Sequence, residues 1–215
     1  MALQERGIKS RNLILRAAAE VFDERGYDSA STTEILERSG LTRGALYHHF
    51  PSKEAIAVAL LTLHGEAVSF TAQPVKIQAV IDHTFTFARG LQHDAVLRAC
   101  VRLAVEQTSF RSHAATPYQQ SGEAVRTTLA QAQEQGELLP GLDLTEAADM
   151  ITATFTGIQV MSRVQTNRED LPERVGVMWR FLLPGLVVPG MIGRLRLTPP
   201  LATEPADAVR EPTPA

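Results

Sequence analysis

The chain has 215 residues, 44 % of them hydrophobic and 21 % charged, with a formal net charge of −3. That size and composition allow a real core in one or two domains and exclude an intrinsically disordered chain. The slight acidity excludes a protein that coats nucleic acid over its whole surface.

The charge is unevenly spread. Residues 1–53 hold 8 Lys and Arg against 7 Asp and Glu, and residues 54–215 hold 13 against 17. This modest N-terminal footprint suits site-specific binding more than bulk binding. Cys100 is the only cysteine, so no intramolecular disulfide can form, and its apolar surroundings predict a buried thiol. The longest apolar run, 181–193, is interrupted by Pro184 and Pro189. It falls short of the roughly 18 residues a membrane span requires. With a polar N-terminus and no apolar leader, these features predict a soluble cytoplasmic protein.

In chain order, a first helix is predicted over 9–25. Ile14, Ala17, Ala18, Val21 and Phe22 recur at helical spacing, and Gly26 closes it. Lys9 and Arg11 near its start can reach phosphates. The stretch 31–53 then organises the rest. Ser31 and Glu34 have capping-box spacing, Gly40 marks a tight turn, and Thr42 is the N-cap of a second short helix running to about His49. Leu46 and Phe50 share its buried face. Arg43, Gly44, Tyr47 and His48 are left outside: a cation, a bare backbone, a phenol and an imidazole. Such a set suits phosphates and base edges in a major groove. Ser52 caps the next helix, and Lys53 in its first turn is placed to meet a phosphate. That helix is predicted to run to about Phe70, a rigid link whose tilt redirects the recognition helix.

After Gln73-Pro74 the pattern stays helical: 77–91, 95–107, a loop over 108–116, then 118–135 ending at Gly136. Pro140-Gly141 turns the chain into a helix from Asp143 to about Gln165, and Pro172 opens a last helix that Pro184 ends. Nothing alternates at period two, so no sheet is expected. Residues 199–215 contain five prolines and read as a disordered tail. The expected division is 1–53, 54–198 and that tail.

The string Thr42-Arg-Gly-Ala-Leu-Tyr-His-His-Phe50, followed by Pro51-Ser52-Lys53-Glu54, resembles the recognition helix and following turn of TetR-type transcriptional regulators. Ala17, Ala18, Val21, Phe22, Gly26, Tyr27, Thr33 and Ile35 agree with that pattern. The resemblance implies an all-α homodimer with an N-terminal three-helix helix-turn-helix DNA-binding domain and a C-terminal helical ligand-binding and dimerisation domain. Its implied DNA contacts are Lys9, Arg11, Thr33, Thr42, Arg43, Gly44, Tyr47, His48 and Lys53, with Arg43 reading a guanine and Tyr47, His48 and Lys53 holding phosphates. The final two long helices would pair with their mates in a four-helix bundle.

A narrower similarity lies in Leu91, Val96-Leu97-Arg98-Ala99, Arg102-Leu103-Ala104 and Val177-Met178-Trp179-Arg180. These resemble the γ-butyrolactone receptors among TetR-like repressors of actinomycetes. Those receptors commonly carry a tryptophan over the lactone where this chain has Ser121, which widens the expected effector to furans, butenolides or antibiotic-related molecules. His64, Phe85, Leu103, Tyr118, Ser121 and Ile158 are the candidate ligand lining. No catalytic set stands out. His83, His93 and His113 lack metal-ligand spacing, and the adjacent His48 and His49 diverge. No cofactor, no metal and no enzymatic activity are therefore expected; the expected partners are operator DNA, a small-molecule effector and a second copy of the chain. The competing readings are a helical ligand-binding or enzymatic protein with a vestigial helix-turn-helix, and an activator.

Overall fold

The computed structural model describes the backbone of residues 2–66, 70, 73–106 and 111–200, and side chains over 5–62, 70, 73–105 and 115–200. These residues form helices α1 (Ala2–Arg25), α2 (Thr32–Ser39), α3 (Arg43–His49), α4 (Lys53–Glu66), α5 (Lys76–His93), α6 (Ala95–Glu106), α7 (Arg111–Glu134), α8 (Leu144–Thr166), α9 (Leu171–Leu182) and α10 (Pro189–Ile192). Among them there is no strand, only an isolated antiparallel bridge between Leu138 and Val187. No helix of the described residues is long and apolar enough to cross a membrane.

The predicted stops and starts have physical counterparts. Ser31 Oγ accepts from Glu34 N at 3.1 Å while Ser31 N donates to the Glu34 carboxylate at 3.0 Å, closing the capping box. Gly40 takes φ +67° and its N–H returns to Leu36 O. Thr42 Oγ1, Ser52 Oγ and Asp143 Oδ1 accept from the first-turn amides of α3, α4 and α8. Each cap satisfies a backbone donor that the helix itself leaves free.

Three boundaries differ from expectation. α1 begins at Ala2 rather than near Lys9. α7 begins at Arg111, so residues 111–116, expected as loop, are helical and Pro117 lies inside the helix. Ala114 and Ala115 ahead of the proline are strong helix formers, which favours helix over the loop expected at 108–116. The short α10 was not foreseen. Residues 108–110 and the tail from 201 lie outside the described residues.

Two apolar cores result. The first gathers Ile14, Ala18 and Phe22 of α1, Ile35 of α2, Leu46 and Phe50, Ile56 and Leu60 of α4, and Ala99, Cys100 and Leu103 of α6. The Cys100 thiol is buried there, donates to Leu60 O at 3.2 Å, and is pushed up to about 12 by burial. The second core lies among α5, α7, α8 and α9 around the fully buried Trp179, whose Nε1–H donates to Thr84 Oγ1 at 2.9 Å. α6 joins the two. Arg98 Nε meets Asp23 Oδ2 at 2.6 Å, and Arg102 Nη1 donates to Asp23 O at 2.6 Å, so α6 grips the C-terminal end of α1. The α8–α9 turn is held by Asp170, whose oxygens accept from Ser162 Oγ, Thr166 Oγ1 and Arg174 Nε. Those hydrogen bonds, the first two foremost, keep its carboxyl down at about 2.

Candidate nucleic-acid interface and internal cavity

The packing of α3 decides what its outer face can do. Leu46 is fully buried and Phe50 nearly so, which turns Thr42, Arg43, Gly44, Tyr47 and His48 to solvent. The Arg43 guanidinium carbon lies 5.6 Å from the Tyr47 ring centroid, one helical turn away. That contact steadies a long side chain without using its hydrogen-bond donors. Lys9 and Thr33 are exposed on α1 and α2. Arg11 is half-buried and its guanidinium sits 5.2 Å over the ring of Phe50, the C-cap of α3.

Gly44 carries a signal of its own. A Cβ built there would meet nothing within 4 Å, and its φ is not positive. The fold therefore does not require glycine, although glycine in a helix is less favourable than alanine by about 1 kcal/mol. Close approach of a phosphate backbone from outside supplies a reason. Gly44→Ala is expected to raise unfolding stability by about 0.5–1 kcal/mol while weakening operator binding. Denaturant titration and operator binding measured together check this; a variant that gained on both counts would remove the close-approach argument.

Lys53 departs from its expected place. Its Nζ donates to Tyr27 O at 2.7 Å and to Ala30 O at 2.8 Å, and lies 4.4 Å from the Tyr27 ring centroid. The ammonium clamps the α1–α2 connection instead of lying free at the start of α4, because the carbonyls of that connection converge on it. Lys53→Met is expected to lower stability by about 1–3 kcal/mol through two lost charge-assisted bonds. Urea midpoints would read this directly, and an unchanged midpoint would contradict the clamp.

The second feature is a cavity of about 70 Å³ enclosed by α5, α6, α7 and α8. Phe87 and Phe155 form its aromatic wall, ring centroids 5.6 Å apart and edge to face. His83, Thr84, Val101, Ala104, Pro117, Tyr118, Ser121, Thr152, Thr156 and Gln159 also line it. Burial raises the Tyr118 phenol above its ordinary value. Thr152 Oγ1 and Gln159 Oε1 are buried with no hydrogen-bond partner, the two such side-chain atoms among the described residues. Both therefore belong to this cavity.

Of the candidate lining, Tyr118 and Ser121 are present and the His64 side chain lies outside the described residues. Phe85, Leu103 and Ile158 are elsewhere. Phe85 is fully buried in the second core, where its Cζ approaches the position of a Cβ on Gly176. Leu103 points into the first core, and the cavity takes its neighbours Val101 and Ala104. Ile158 lies about 60° from Phe155 and about 100° from Gln159 around the helix, and packs against the second core. The missed residues had a signal: Thr152, Thr156 and Gln159 recur at i, i+4 and i+7, a polar seam beside Ile151 and Phe155 on one side of α8. Among the described residues no three His, Cys, Asp or Glu side chains could hold a metal ion together.

Comparison with known proteins agrees with this arrangement. Residues 14–60 match the family model for bacterial regulatory proteins of the tetR family, and residues 75–189 match a tetracyclin repressor-like C-terminal domain. The A-factor receptor protein of Streptomyces griseus is 38 % identical over 196 residues, covering 91 % of this chain and 70 % of that one. Full-length native TylP, a TetR regulator from Streptomyces fradiae, superposes with a TM-score of 0.80 at 40 % identity, covering 90 % of this chain and 93 % of that one. A γ-butyrolactone receptor described as ArpA-like superposes at 0.68 with 27 % identity over 88 % and 93 % of the two chains. The outward recognition helix, the two helical cores and these matches together make the chain a member of the TetR family of bacterial DNA-binding transcriptional regulators.

Proposed function

We propose that the protein is a homodimeric repressor that holds a palindromic operator and releases it when a small hydroxylated lactone, furan or butenolide enters the internal cavity. The observation that carries this reading is the pair of unpartnered polar atoms, Thr152 Oγ1 and Gln159 Oε1, in a cavity walled by Phe87, Val101, Val125, Ile151 and Phe155. A buried polar group without a partner is unfavourable by about 1–3 kcal/mol. A ligand with an apolar body, a hydroxyl that donates to Gln159 and a carbonyl that accepts from Thr152 relieves both. The similarity to the A-factor receptor and to the γ-butyrolactone receptor supports the same chemical class.

The cavity's size supplies the mechanism. Pockets for drug-sized ligands measure roughly 300–1,000 Å³, well above the about 70 Å³ available here. An effector must therefore push its walls apart. Val101 and Ala104 place α6 in that wall, while Ala99, Cys100 and Leu103 on its other side belong to the first core. Displacing α6 drags α1 through Arg98, Arg102 and Asp23 and tilts the recognition helix. The effector favours the expanded state, and its differential affinity sets how far the population moves.

Residues 1–53 form the DNA-binding part and residues 54–198 the effector and dimer part. Lys9, Arg11, Thr33, Thr42, Arg43, Gly44, Tyr47 and His48 meet the operator; Lys53 acts from behind by fixing the α1–α2 connection. Dimerisation is supported by apolar side chains left in solvent on α8 and α9: Met161 at 51 % exposure, Val164 at 79 % and Phe181 at 82 %. A second copy would cover them, and two recognition helices related by a two-fold axis read a palindrome. Titration of the operator complex with alkyl-butyrolactones, furans and butenolides tests the effector class. Release by one of them at micromolar concentration is expected; no release, with no thermal stabilisation of the free protein, would contradict it.

A further inference from the structure

A third feature lies apart from both sites. The C-terminal ends of α1 and α5, together with α6, the end of α8 and the α8–α9 turn, line a polar cleft of about 510 Å³. Four arginines line it, Arg98, Arg102, Arg163 and Arg168, together with Asp23 and Gln92. The acidic side chains nearby are already engaged. Asp23 is held by Arg98 at 2.6 Å, and the neighbouring Glu24 by Arg38 at 2.7 and 3.0 Å.

Arg168 is the unusual member. It is only 6 % exposed and sits in the left-handed region at φ +70°. Its backbone is pinned there: Arg168 N donates to Ser162 O at 3.1 Å, and Gln92 Nε2 donates to Arg168 O at 2.8 Å. Its guanidinium makes no hydrogen bond or ion pair to any described residue. Burial, then repulsion from Arg163, pulls its pKa down; the attraction of Asp23 opposes this, and Arg98 and Arg102 add smaller repulsions. A buried cation among cations is unfavourable unless an anion joins them.

We propose that this cleft binds a small phosphorylated metabolite, its phosphate oxygens received by Arg168 and the neighbouring guanidinium groups. Guanidinium forks converging from several helices can each meet a different oxygen of a tetrahedral phosphate, whereas a single carboxylate offers two oxygens in one plane. The cleft has room for more than one phosphate. Its walls include the Arg98–Asp23 joint through which α6 holds α1, so the bound anion acts on the same coupling as the cavity. The regulator thus has a second input, chemically distinct from the apolar effector.

Isothermal titration of the full-length protein with inorganic pyrophosphate, at ionic strength fixed by sodium chloride, tests this. One site per chain is expected. Arg168→Asn should weaken binding about tenfold or more, since asparagine tolerates the left-handed backbone. Arg126→Ala, a surface change on α7, should bind like the parent. If Arg168→Asn melts early, Arg163→Gln is read the same way. No binding, or equal binding by parent and cleft variants, would overturn the site. Citrate binding as tightly as pyrophosphate would overturn the phosphate assignment.

Discussion

Gln159→Leu is expected to strengthen the free protein and to blunt its response to effector. Gln159 is 5 % exposed and its Oε1 has no partner. Leucine is of similar size and leaves nothing unsatisfied, so stability should rise by about 1 kcal/mol. The same change removes the acceptor for the effector's hydroxyl. Loss of one hydrogen bond in a dry site is worth about 1–3 kcal/mol, so roughly ten- to a hundredfold more effector should be needed for release. Operator affinity without effector should stay unchanged, because Gln159 touches neither α1 nor α3. Thermal melts and effector titrations on one preparation read all three quantities. A variant released at the parent's effector concentration would exclude Gln159 from the binding site.

Arg43→Ala is expected to separate specific from non-specific DNA binding. Arg43 is exposed at the first position of α3, and its ring contact to Tyr47 leaves every N–H available. If it reads a guanine edge, its loss is worth about 1–3 kcal/mol on the operator, a ten- to hundredfold drop, with little change on random DNA. If it only meets phosphate, both affinities fall together and the salt dependence flattens. Stability should move by less than about 0.5 kcal/mol, since the side chain packs against no buried residue. A fall equal on both DNAs would reject the base-reading role.

The N-terminal part was legible because its rules are local. A capping box, a left-handed glycine, a threonine cap and an i, i+4 apolar pair fix α2, the turn and α3 within about twenty residues. The outward set from Thr42 to His48 follows from which side Leu46 and Phe50 bury. The cavity was less legible because it depends on phase between distant helices. Leu103 and Val101 differ by two positions and face different cores, and the sequence alone does not say which side of α6 meets α5. Lys53 shows the same limit: its carbonyl partners at 27 and 30 are set by how the α1–α2 connection folds. The arginine cleft is assembled from α1, α5, α6 and the end of α8 with its turn into α9, so no single stretch announces it. Arg168 needed its backbone angle, which a non-glycine residue rarely adopts.

The most direct test of the central claim is selection of bound duplexes from a random oligonucleotide pool at physiological salt, which does not depend on where the operator lies. The account predicts enrichment of a two-fold symmetric sequence, bound by a dimer and lost from the Arg43→Ala selection. An unenriched pool, bound equally by parent and variant, would contradict the reading of α3 as a recognition helix.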